Sequence, residues 1–342
     1  MGQRKVLVHI VTWNSEDTIA RCIEHVAQQQ GFTLGSDLFI HVTDNASTDS
    51  TAEVVRSVMM SRPDLDLSIN KHNLGFCGAH NQGASRCIDR CYDAMLVLNP
   101  DVGLTPGCLA EMLFALKEGV GLVTPKLLRA GEDLKPLEPM MLDAAGMILT
   151  PTLRHFDRGS GEVDVGKYET REEVFGATGA CVLISRECIA DVSLPKEISD
   201  RAVWSIYPAL QEESSARTKL FDEAFFAYRE DADLSWRVGR RRWRCVYEPS
   251  AVAYHVRVVT PERRSQLSPT LNSYSVRNRF LLQLNNWDFS EGLLSLFLGV
   301  CMRNIVVILG VFARERSSLG ALREAWVLAG RARAIYRATR KS

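Results

Sequence analysis

The sequence lacks the features that mark several large classes of protein. It has 41 basic and 41 acidic side chains among its 342 residues, so the formal net charge is zero. A balanced charge argues against a large nonspecific contact with nucleic acid. The nine cysteines are scattered and include no Cys-x-x-Cys pair, which predicts neither a disulfide framework nor a zinc site. We therefore expect reduced thiols in a cytoplasmic protein.

Two further absences narrow the choice of fold and ligand. The N-terminus runs directly into an apolar stretch, so we expect no signal peptide. The glycine-rich segment at 73–83 has neither the Gly-x-Gly-x-x-Gly spacing of a dinucleotide site nor the Gly-Lys-Ser/Thr of a P-loop. With 46% hydrophobic and 24% charged residues, the composition is typical of a globular protein.

Residues 5–125 alternate between short apolar runs and segments with helical spacing, which predicts βαβ units and a mostly parallel sheet. The predicted strands are Val6–Val11, Leu38–Val42, Leu65–Ile69, Met95–Leu98 and Val120–Val123. The predicted helices are Glu16–Gln29, Ser50–Met60, Ala79–Cys91 and Pro106–Lys117.

The pattern changes after residue 125. Residues 126–175 are rich in glycine, proline and charge, and they indicate loops with short strands. Further along, we predict strands at Cys181–Ile184, Cys245–Tyr247 and Ala251–His255, a polar insertion at 192–218, a helix at Leu234–Arg240 and helices from about residue 270.

Polar side chains follow the apolar strands at the edge where open α/β sheets bind their ligands. The first strand ends near Thr12 and Asn14, which we expect to contact such a ligand. Asp44, at the end of the second strand, can accept from the imide N–H of a pyrimidine or can cap the following helix. Asn99 and Asp101 follow the fourth strand, where a carboxylate can meet a metal and a phosphorylated ligand or form an ordinary turn.

Two other segments can be interpreted either as parts of a functional site or as ordinary helix starts. The small residues of 73–83 can bring phosphate to free backbone N–H groups at a helix start, or form a tight helix start and nothing more. Glu230, Asp231 and Asp233 are close enough in sequence to hold a general base near neutral pKa, or they form the charged first turn of a helix. Arg237 could lock this acidic cluster through an ion pair, and we expect it on the acceptor side.

His255 ends a predicted strand, and a histidine in that position is often structural. It is also a candidate partner of Asp101 in binding a metal. One carboxylate and one imidazole, together with diphosphate oxygens and water, suit Mn²⁺ or Mg²⁺.

Six segments together resemble the inverting glycosyltransferases of family 2, which have the GT-A fold. Their order and spacing match over roughly residues 5–260, and Asn99-Pro100-Asp101 is most similar to the rhamnosyltransferase-like branch. The resemblance implies an α/β, Rossmann-like fold with a mostly parallel central sheet flanked by helices. The segments are VTWN at 11–14, DNASTDST at 44–51, NLGFCGAHNQG at 73–83, LNPD at 98–101, GATGACVLISRE at 176–187 and FFAYREDADLSWR at 225–237.

The resemblance also implies roles for individual residues. Asp231 would be the catalytic base with Glu230 beside it, and Asp101 and His255 would bind the metal. Asn99 stands where the family's Asp-x-Asp motif has its first aspartate, so this site has one carboxylate fewer. The implied nucleotide-sugar contacts are Asp44, Asn73, Gly75, Asn81, Asn99 and Asp101, and the implied acceptor residues are Gly176, Thr178 and Gly179.

The predicted organisation is a catalytic domain over 1–265 and a helical C-terminal extension over 266–342. The nucleotide-sugar half of the catalytic domain would span about 1–125 and the acceptor half about 126–265. Leu293–Phe312 is strongly apolar and a basic stretch follows, which predicts contact with a membrane surface or an oligomerisation or packing role. Tyr274–Arg279 resembles a motif common after such domains, with no role assigned.

The resemblance implies transfer of L-rhamnose from dTDP-rhamnose to a hydroxyl of a lipid-linked or polysaccharide acceptor in cell-surface glycan synthesis. One alternative is a UDP-sugar donor carrying galactofuranose, glucose or N-acetylglucosamine. Another is a non-catalytic carbohydrate-binding subunit, against which the presence of Asp101, Glu230, Asp231 and His255 argues. We expect a cytoplasmic enzyme at the inner face of the cell membrane, with no nucleic-acid partner and with homo-oligomers possible.

Overall fold

The structure is a computed structural model that describes residues 4–150, 154–213, 216–257, 269–287, 296–313 and 315–340. Its first part alternates strands and helices, as the apolar periodicity predicts. The strands are β1 (Val6–Thr12), β2 (Leu38–Asp44), β3 (Leu65–Ile69), β4 (Ala94–Leu98), β5 (Val102–Leu104) and β6 (Val120–Arg129). The helices are α1 (Ile19–Ala27), α2 (Thr51–Ser61), α3 (Gly75–Asp89) and α4 (Cys108–Ala115).

The second part has short strands and then helices. Its strands are β7 (Leu142–Ala144), β8 (Met147–Leu149), β9 (His155–Asp157), β10 (Glu172–Val174), β11 (Cys181–Ser185) and β12 (Arg244–His255). Its α-helices are α5 (Arg186–Val192), α6 (Arg201–Trp204), α7 (Pro208–Glu213), α8 (Glu230–Arg240), α9 (Pro269–Asn286), α10 (Arg303–Ala313) and α11 (Leu319–Thr339), with a π-helical segment at Leu296–Met302.

One large sheet runs through both parts in the order β10-β12-β6-β11-β4-β1-β2-β3. The pairs β4-β1, β1-β2 and β2-β3 are parallel, as is β6-β12, whereas β11 runs antiparallel to both β4 and β6. The mixed α/β fold with helices on both faces and a helical C-terminal region confirms the predicted fold class. The parallel strands bring their carboxyl ends to one edge.

The boundaries differ from the predicted ones at three informative places. Strand β5 begins directly after Asp101 and was not expected, because three residues carry too little periodicity. The two strands predicted between 245 and 255 form a single strand with an irregularity between Glu248 and Val252. Helix α8 begins at Glu230 rather than Leu234, so the acidic cluster forms its first turn.

The C-terminal helices are part of the folded core. Leu281 and Leu282 of α9 and Leu328 and Ala332 of α11 are buried in the apolar cluster that also covers one face of the sheet. Arg331 of α11 is buried as well, and forms ion pairs with Asp200 and Asp222. The burial of α9 and α11 supports a packing role for this part of the extension.

Helix α10 differs from α9 and α11 because one of its faces is open. Val311 is buried, but Ile305, Val306, Leu309 and Phe312 are each more than half exposed. Within the residues described, no helix is both long enough and apolar enough to cross a membrane. Part of the apolar segment predicted at Leu293–Phe312, namely 293–295, lies outside the described residues.

Candidate active site

The ends of β1 and β2 form one wall of the site. Their parallel register pairs Thr12 with Asp44, and the Thr12 hydroxyl donates to Asp44 Oδ1 at 3.0 Å. Asp44 is 2% exposed and also accepts from the backbone N–H and the hydroxyl of Ser47. These bonds are those of a turn-forming aspartate. Contact of Asp44 with a pyrimidine therefore stays a prediction.

Asn14 and Asn45 join this wall to its neighbours. Asn14 is exposed, has a φ of 51° and accepts from the backbone N–H of Thr48 at 2.8 Å, which ties the tip of β1 to the loop after β2. Asn45 donates to Asn73 Oδ1 at 2.9 Å and to the carbonyl of Gly75. Asn45 has no role predicted from the sequence. Its position directly after a strand was the one sequence feature that pointed to it.

Gly75 lies where the glycine-rich segment meets the segment before α8. Its φ is 70°, and a Cβ there would lie 2.5 Å from the carbonyl oxygen of Phe226. The same carbonyl accepts from the backbone N–H of Cys77 at 3.1 Å. Glycine is required here by this close contact between two chain segments. Diphosphate contact by Asn73 and Gly75 remains a prediction.

Asn81, predicted to line the diphosphate, lies in the interior instead. Its side chain is fully buried, donates to the carbonyl of Phe221 at 3.0 Å and to Glu223, and accepts from the backbone N–H of Phe221. The role of Asn81 is thus to fasten α3 to the chain segment before the acidic cluster. A ligand would have to break these buried bonds to reach it, so we no longer assign Asn81 to donor binding.

Asp101 and His255 are brought together by the pairing of β5 with β12. In that antiparallel register His255 lies opposite Val102, and the backbone N–H of Val256 donates to the carbonyl of Asp101 at 3.1 Å. His255 Nε2 then lies 3.6 Å from Asp101 Oδ1. That Asp101 oxygen is buried and has no hydrogen-bond partner among the described residues.

The second ring nitrogen of His255 is held by a residue that the sequence analysis did not single out. His255 Nδ1 lies 2.7 Å from Asp143 Oδ2. Burial lowers the pKa of His255, but the charges of Asp101 and Asp143 and the hydrogen bond to Asp143 outweigh it and raise that pKa to about 10. A carboxylate on Nδ1 fixes the ring so that Nε2 faces Asp101, an arrangement common behind metal-binding histidines.

These residues fit a divalent metal as two of its ligands. Asp101 offers an oxygen without a hydrogen-bond partner in the described part of the chain, and His255 offers an oriented Nε2. The raised pKa of His255 keeps its ring protonated at neutral pH, so a metal would have to displace the Nε2 proton to bind there. A carboxylate oxygen and an imidazole nitrogen are together ligands that Mn²⁺ accepts and Mg²⁺ accepts in part. Within the described ranges no cluster of three or more His, Cys, Asp or Glu side chains could hold an ion alone. The remaining positions would be left to diphosphate oxygens and water. Asn99 is nearby, where its backbone N–H donates to the carbonyl of Ala180 at 2.9 Å.

A chain of charged side chains leads from this pair towards Asp231. Arg257 donates to Asp143 Oδ1 at 2.9 Å and to Asp157 Oδ2 at 2.7 Å. The charge of Asp157 in turn contributes to the raised pKa of Asp231. Asp143, Arg257 and Asp157 were not found from the sequence, because no local pattern relates three positions so far apart in the chain.

Asp231 has the properties of a general base. It is half-buried, and its carboxylate accepts from the backbone N–H groups of Gly179 at 3.2 Å and Ala232 at 2.7 Å. Burial and the charge of Asp157 raise its pKa to about 6, against the opposing effect of those two N–H groups and Arg229. A base with this pKa is ionised at neutral pH and still accepts a proton readily.

Glu230 lies deeper than Asp231. It is 5% exposed, and its Oε2 is buried without a hydrogen-bond partner among the described residues. Burial and the charges of Asp231 and Asp233 raise the pKa of Glu230 well above its ordinary value. The two adjacent carboxyl groups therefore differ, with Asp231 the more readily ionised and the more accessible.

The loop before Asp231 has an unusual backbone that is held from behind. Phe226, Tyr228 and Arg229 all have positive φ, at 63°, 71° and 73°. The Nδ2 group of Asn278 on α9 donates to the carbonyls of Phe225, Ala227 and Tyr228 at 2.8 to 2.9 Å.

Arg277 assists Asn278 by donating to the carbonyl of Phe225 at 2.8 Å. Strained backbone next to reactive side chains persists only when its surroundings fix it. The stretch Tyr274–Arg279, left without a role in the sequence, thus supplies the residues that fix this loop.

The predicted acceptor residues divide into two groups. Gly176, Thr178 and Gly179 precede β11, and Gly179 donates to Asp231. A Cβ at Gly176 would lie 2.1 Å from Ser235 Oγ, so glycine lets this segment pack on α8.

Arg237 is 1% exposed and bonds to Asp233, the carbonyl of Val192 and the carbonyl of Leu220. Its ion pair with Asp233 does lock the cluster, but a buried guanidinium with these partners does not contact an acceptor.

Comparison with known proteins identifies the family of this chain. The sequence profile of glycosyl transferase family 2 matches residues 7–192, more than half of the chain. The chain belongs to glycosyltransferase family 2. The match includes the ends of β1, β2 and β4, so this glycosyltransferase carries its family pattern on the edge where Asp44 and Asp101 lie.

The glycosyltransferase also has curated relatives in Mycobacterium tuberculosis, in strains CDC 1551 / Oshkosh and ATCC 25618 / H37Rv. Both are N-acetylglucosaminyl-diphospho-decaprenol L-rhamnosyltransferases and are 26% identical to this chain over 241 residues. The alignment covers 63% of this chain, and it spans 65% of the length of these relatives.

Solved structures with the same fold are more distant in sequence. A crystal structure of GalNAc-T7 with UDP, GalNAc and Mn²⁺ superposes with a TM-score of 0.61 at 12% identity, over 84% of this chain and 49% of that one. The crystal structure of S. aureus TarS 1–349 in complex with UDP superposes with a TM-score of 0.51 at 15% identity, over 99% and 90%. These similarities establish the GT-A fold of this glycosyltransferase.

Proposed function

We propose that this glycosyltransferase transfers a sugar with inversion in a single displacement, with Asp231 as general base. The observation that carries the proposal is the half-buried Asp231 carboxylate, whose pKa is raised to about 6, at the end of a constrained loop beside Gly179. Asp231 takes the proton of an acceptor hydroxyl, and the oxygen attacks the anomeric carbon as the bond from that carbon to the diphosphate oxygen breaks. No nucleophilic side chain is required.

The other side of the reaction belongs to the leaving nucleoside diphosphate. Asp101 and His255 would hold a divalent metal, Mn²⁺ or Mg²⁺, which when bound neutralises charge on the diphosphate. Asp143 keeps Nε2 of His255 directed at Asp101. Thr12, Asn14, Asp44, Asn73 and Asn99 lie at the strand ends or loops that would surround the nucleotide.

The donor we propose is dTDP-L-rhamnose, and the acceptor is a lipid-linked or polysaccharide glycan at the inner face of the cell membrane. Support comes from the curated relatives, which are L-rhamnosyltransferases acting on a diphosphate-linked lipid. A hydrolysis screen of dTDP-sugars and UDP-sugars with the purified enzyme tests the donor. Turnover of a UDP-sugar without turnover of dTDP-rhamnose would reassign it.

The role of Asp231 is tested by Asp231→Asn, which keeps the shape of the side chain and removes its basicity. We expect transfer to fall by about 10²–10⁴-fold, the usual contribution of a general base. Donor affinity measured by calorimetry should stay within a few fold. The matched control is Asp89→Asn at the exposed end of α3, which should leave transfer unchanged. Near-normal transfer by Asp231→Asn would refute the proposal.

A further inference from the structure

Four arginines gather between the catalytic loop and the C-terminal helices. Arg279 lies on α9, Arg303 begins α10, Arg229 immediately precedes α8 and Arg154 precedes β9. Burial and the charges of the other three lower the pKa of Arg279 to about 10. Like charges brought this close repel one another, and their burial adds a desolvation cost.

Two of these guanidinium groups have an N–H donor that is not used in a hydrogen bond within the described part of the chain. Arg279 Nη2 and Arg303 Nε are buried without a hydrogen-bond partner among the described residues. Within the described ranges, neither Arg279 nor Arg303 forms an ion pair with a carboxylate. Arg279 is nevertheless held in place, because its Nε donates to Asn304 Oδ1 at 3.0 Å and Asn304 donates to Gln283 at 2.7 Å. Oriented, unpaired guanidinium groups are suited to an anion with several oxygens.

The cluster adjoins the proposed catalytic base. Arg229 is separated from Asp231 by one residue, and its charge opposes the rise in the pKa of Asp231. The donor diphosphate is expected elsewhere, at Asp101 and His255. An anion bound by the arginines would therefore belong to a second molecule, next to the group that deprotonates the acceptor.

An exposed apolar stripe begins beside the same cluster. Its members are 44% to 65% exposed and follow helical spacing from the last residue of the π-helical segment along the outward face of α10: Met302, Ile305, Val306, Leu309 and Phe312. Arg303 flanks this stripe on the same helix, whereas Val311 faces the core. A cluster of arginines beside an exposed apolar stripe matches a molecule with an anionic head and a hydrocarbon chain.

We propose that Arg154, Arg229, Arg279 and Arg303 bind the diphosphate of a polyisoprenyl-diphosphate-linked acceptor, whose hydrocarbon chain lies along the α10 stripe. The inference rests on the proposed function and narrows its acceptor to the lipid-linked class. The diphosphate would bring the acceptor sugar to Asp231 while the hydrocarbon stays outside the catalytic cleft. No bond is made or broken at the arginines.

The test is calorimetric binding of farnesyl diphosphate to the full-length protein with saturating dTDP, which occupies the donor site. Farnesol and inorganic diphosphate are the probes for chain and head alone. We expect farnesyl diphosphate to bind at least about tenfold more tightly than either. Arg303→Gln and Arg279→Gln should each weaken it by about tenfold or more, since a hydrogen bond to a charged group contributes that much. The matched control is Arg323→Gln at an exposed position of α11, which should bind as tightly as the unmodified protein.

Several outcomes would overturn the inference. Equal binding of farnesyl diphosphate by Arg303→Gln and the unmodified protein would remove the arginines from the site. Because Arg303 is half-buried at the first position of α10, we expect Arg303→Gln to fold, and its binding decides the test if Arg279→Gln fails to fold. Equal binding of inorganic diphosphate would mean a phosphate site without a lipid. Tighter binding to phosphatidylglycerol vesicles than to farnesyl diphosphate would mean a membrane anchor instead. Donor hydrolysis by the unmodified enzyme is scored separately, so failure of the proposed function is distinguishable.

Discussion

Replacing Asn278 with alanine should uncouple the catalytic loop from the rest of the protein. The Asn278 amide donates to three carbonyls of the loop from Phe225 to Arg229. The loop contains three non-glycine residues with positive φ, each of which costs on the order of 1–3 kcal/mol. Without the amide, the loop backbone would lower its energy by leaving these positive-φ conformations. The position of Asp231 depends on that backbone.

The size of the effect follows from the lost bonds. Phe225 keeps the bond from Arg277, so two carbonyls, those of Ala227 and Tyr228, lose the Asn278 donor. An unpaired buried carbonyl costs about 1–3 kcal/mol, and because these two bonds are only part-buried we take about 1–2 kcal/mol for each. We expect Asn278→Ala to lower the free energy of unfolding by about 2–4 kcal/mol. Part of this loss is recovered when the loop relaxes, and the loop then holds Asp231 in the wrong place.

The assay combines urea unfolding with steady-state transfer kinetics on the same preparation. The matched control is Asn81→Ala, which also removes a buried amide that bonds to backbone, but in α3. Both variants should lose comparable stability, while only Asn278→Ala should lose kcat by about 10-fold or more with donor affinity retained. Equal kcat values for the two variants, corrected for the folded fraction, would refute the reasoning.

Three further predictions follow from the site. Asp231 must be ionised to act as a base, and burial together with the charge of Asp157 raises its pKa to about 6. The value of kcat/KM should therefore be constant above pH 7 and fall about tenfold per pH unit below pH 6. A profile with no inflection between pH 5 and 7 would contradict this prediction. Asp101→Ala should weaken donor binding, and added Mn²⁺ should not restore it. Asp143→Asn should weaken donor binding less, because it lowers the metal affinity by only about 10–100-fold. If the donor affinity measured by calorimetry is unchanged with and without EDTA, Asp101 does not bind a metal. Deleting residues 319–342 should give aggregated protein in sedimentation, because α11 covers apolar core and Arg331 neutralises Asp200 and Asp222; a monomeric, active product would show that α11 is dispensable.

The sequence was most informative where chemistry follows a regular element. Apolar runs located the strands, and the polar residues after them gave Thr12, Asp44 and Asp101 at one edge. Motif membership did not distinguish exposed from buried side chains, and for that reason Asn81 and Arg237 were expected at ligands but lie in the core. Both are polar residues whose partners are distant in the chain.

The missed residues share a physical cause. Asp143 contacts His255 across a separation of 112 positions, and Asn278 contacts the catalytic loop across about 50. Such contacts depend on the tertiary fold, and no periodicity or local spacing encodes them. Strand β5, which brings Asp101 to His255, is only three residues long and is fixed by pairing with β12 rather than by its own sequence.

The buried ion pairs of Arg331 have a consequence for how the enzyme comes into being. They join α11 to Asp200 and Asp222 across 131 and 109 positions of the chain. Contacts of such range are slow to form. Asp222 caps the short turn that leads into the catalytic loop, so we expect the loop to reach its final form only after α11 has docked. We therefore expect the enzyme to become active only after the ribosome has synthesised α11. Partly synthesised chains should then not consume the sugar donor of the cell.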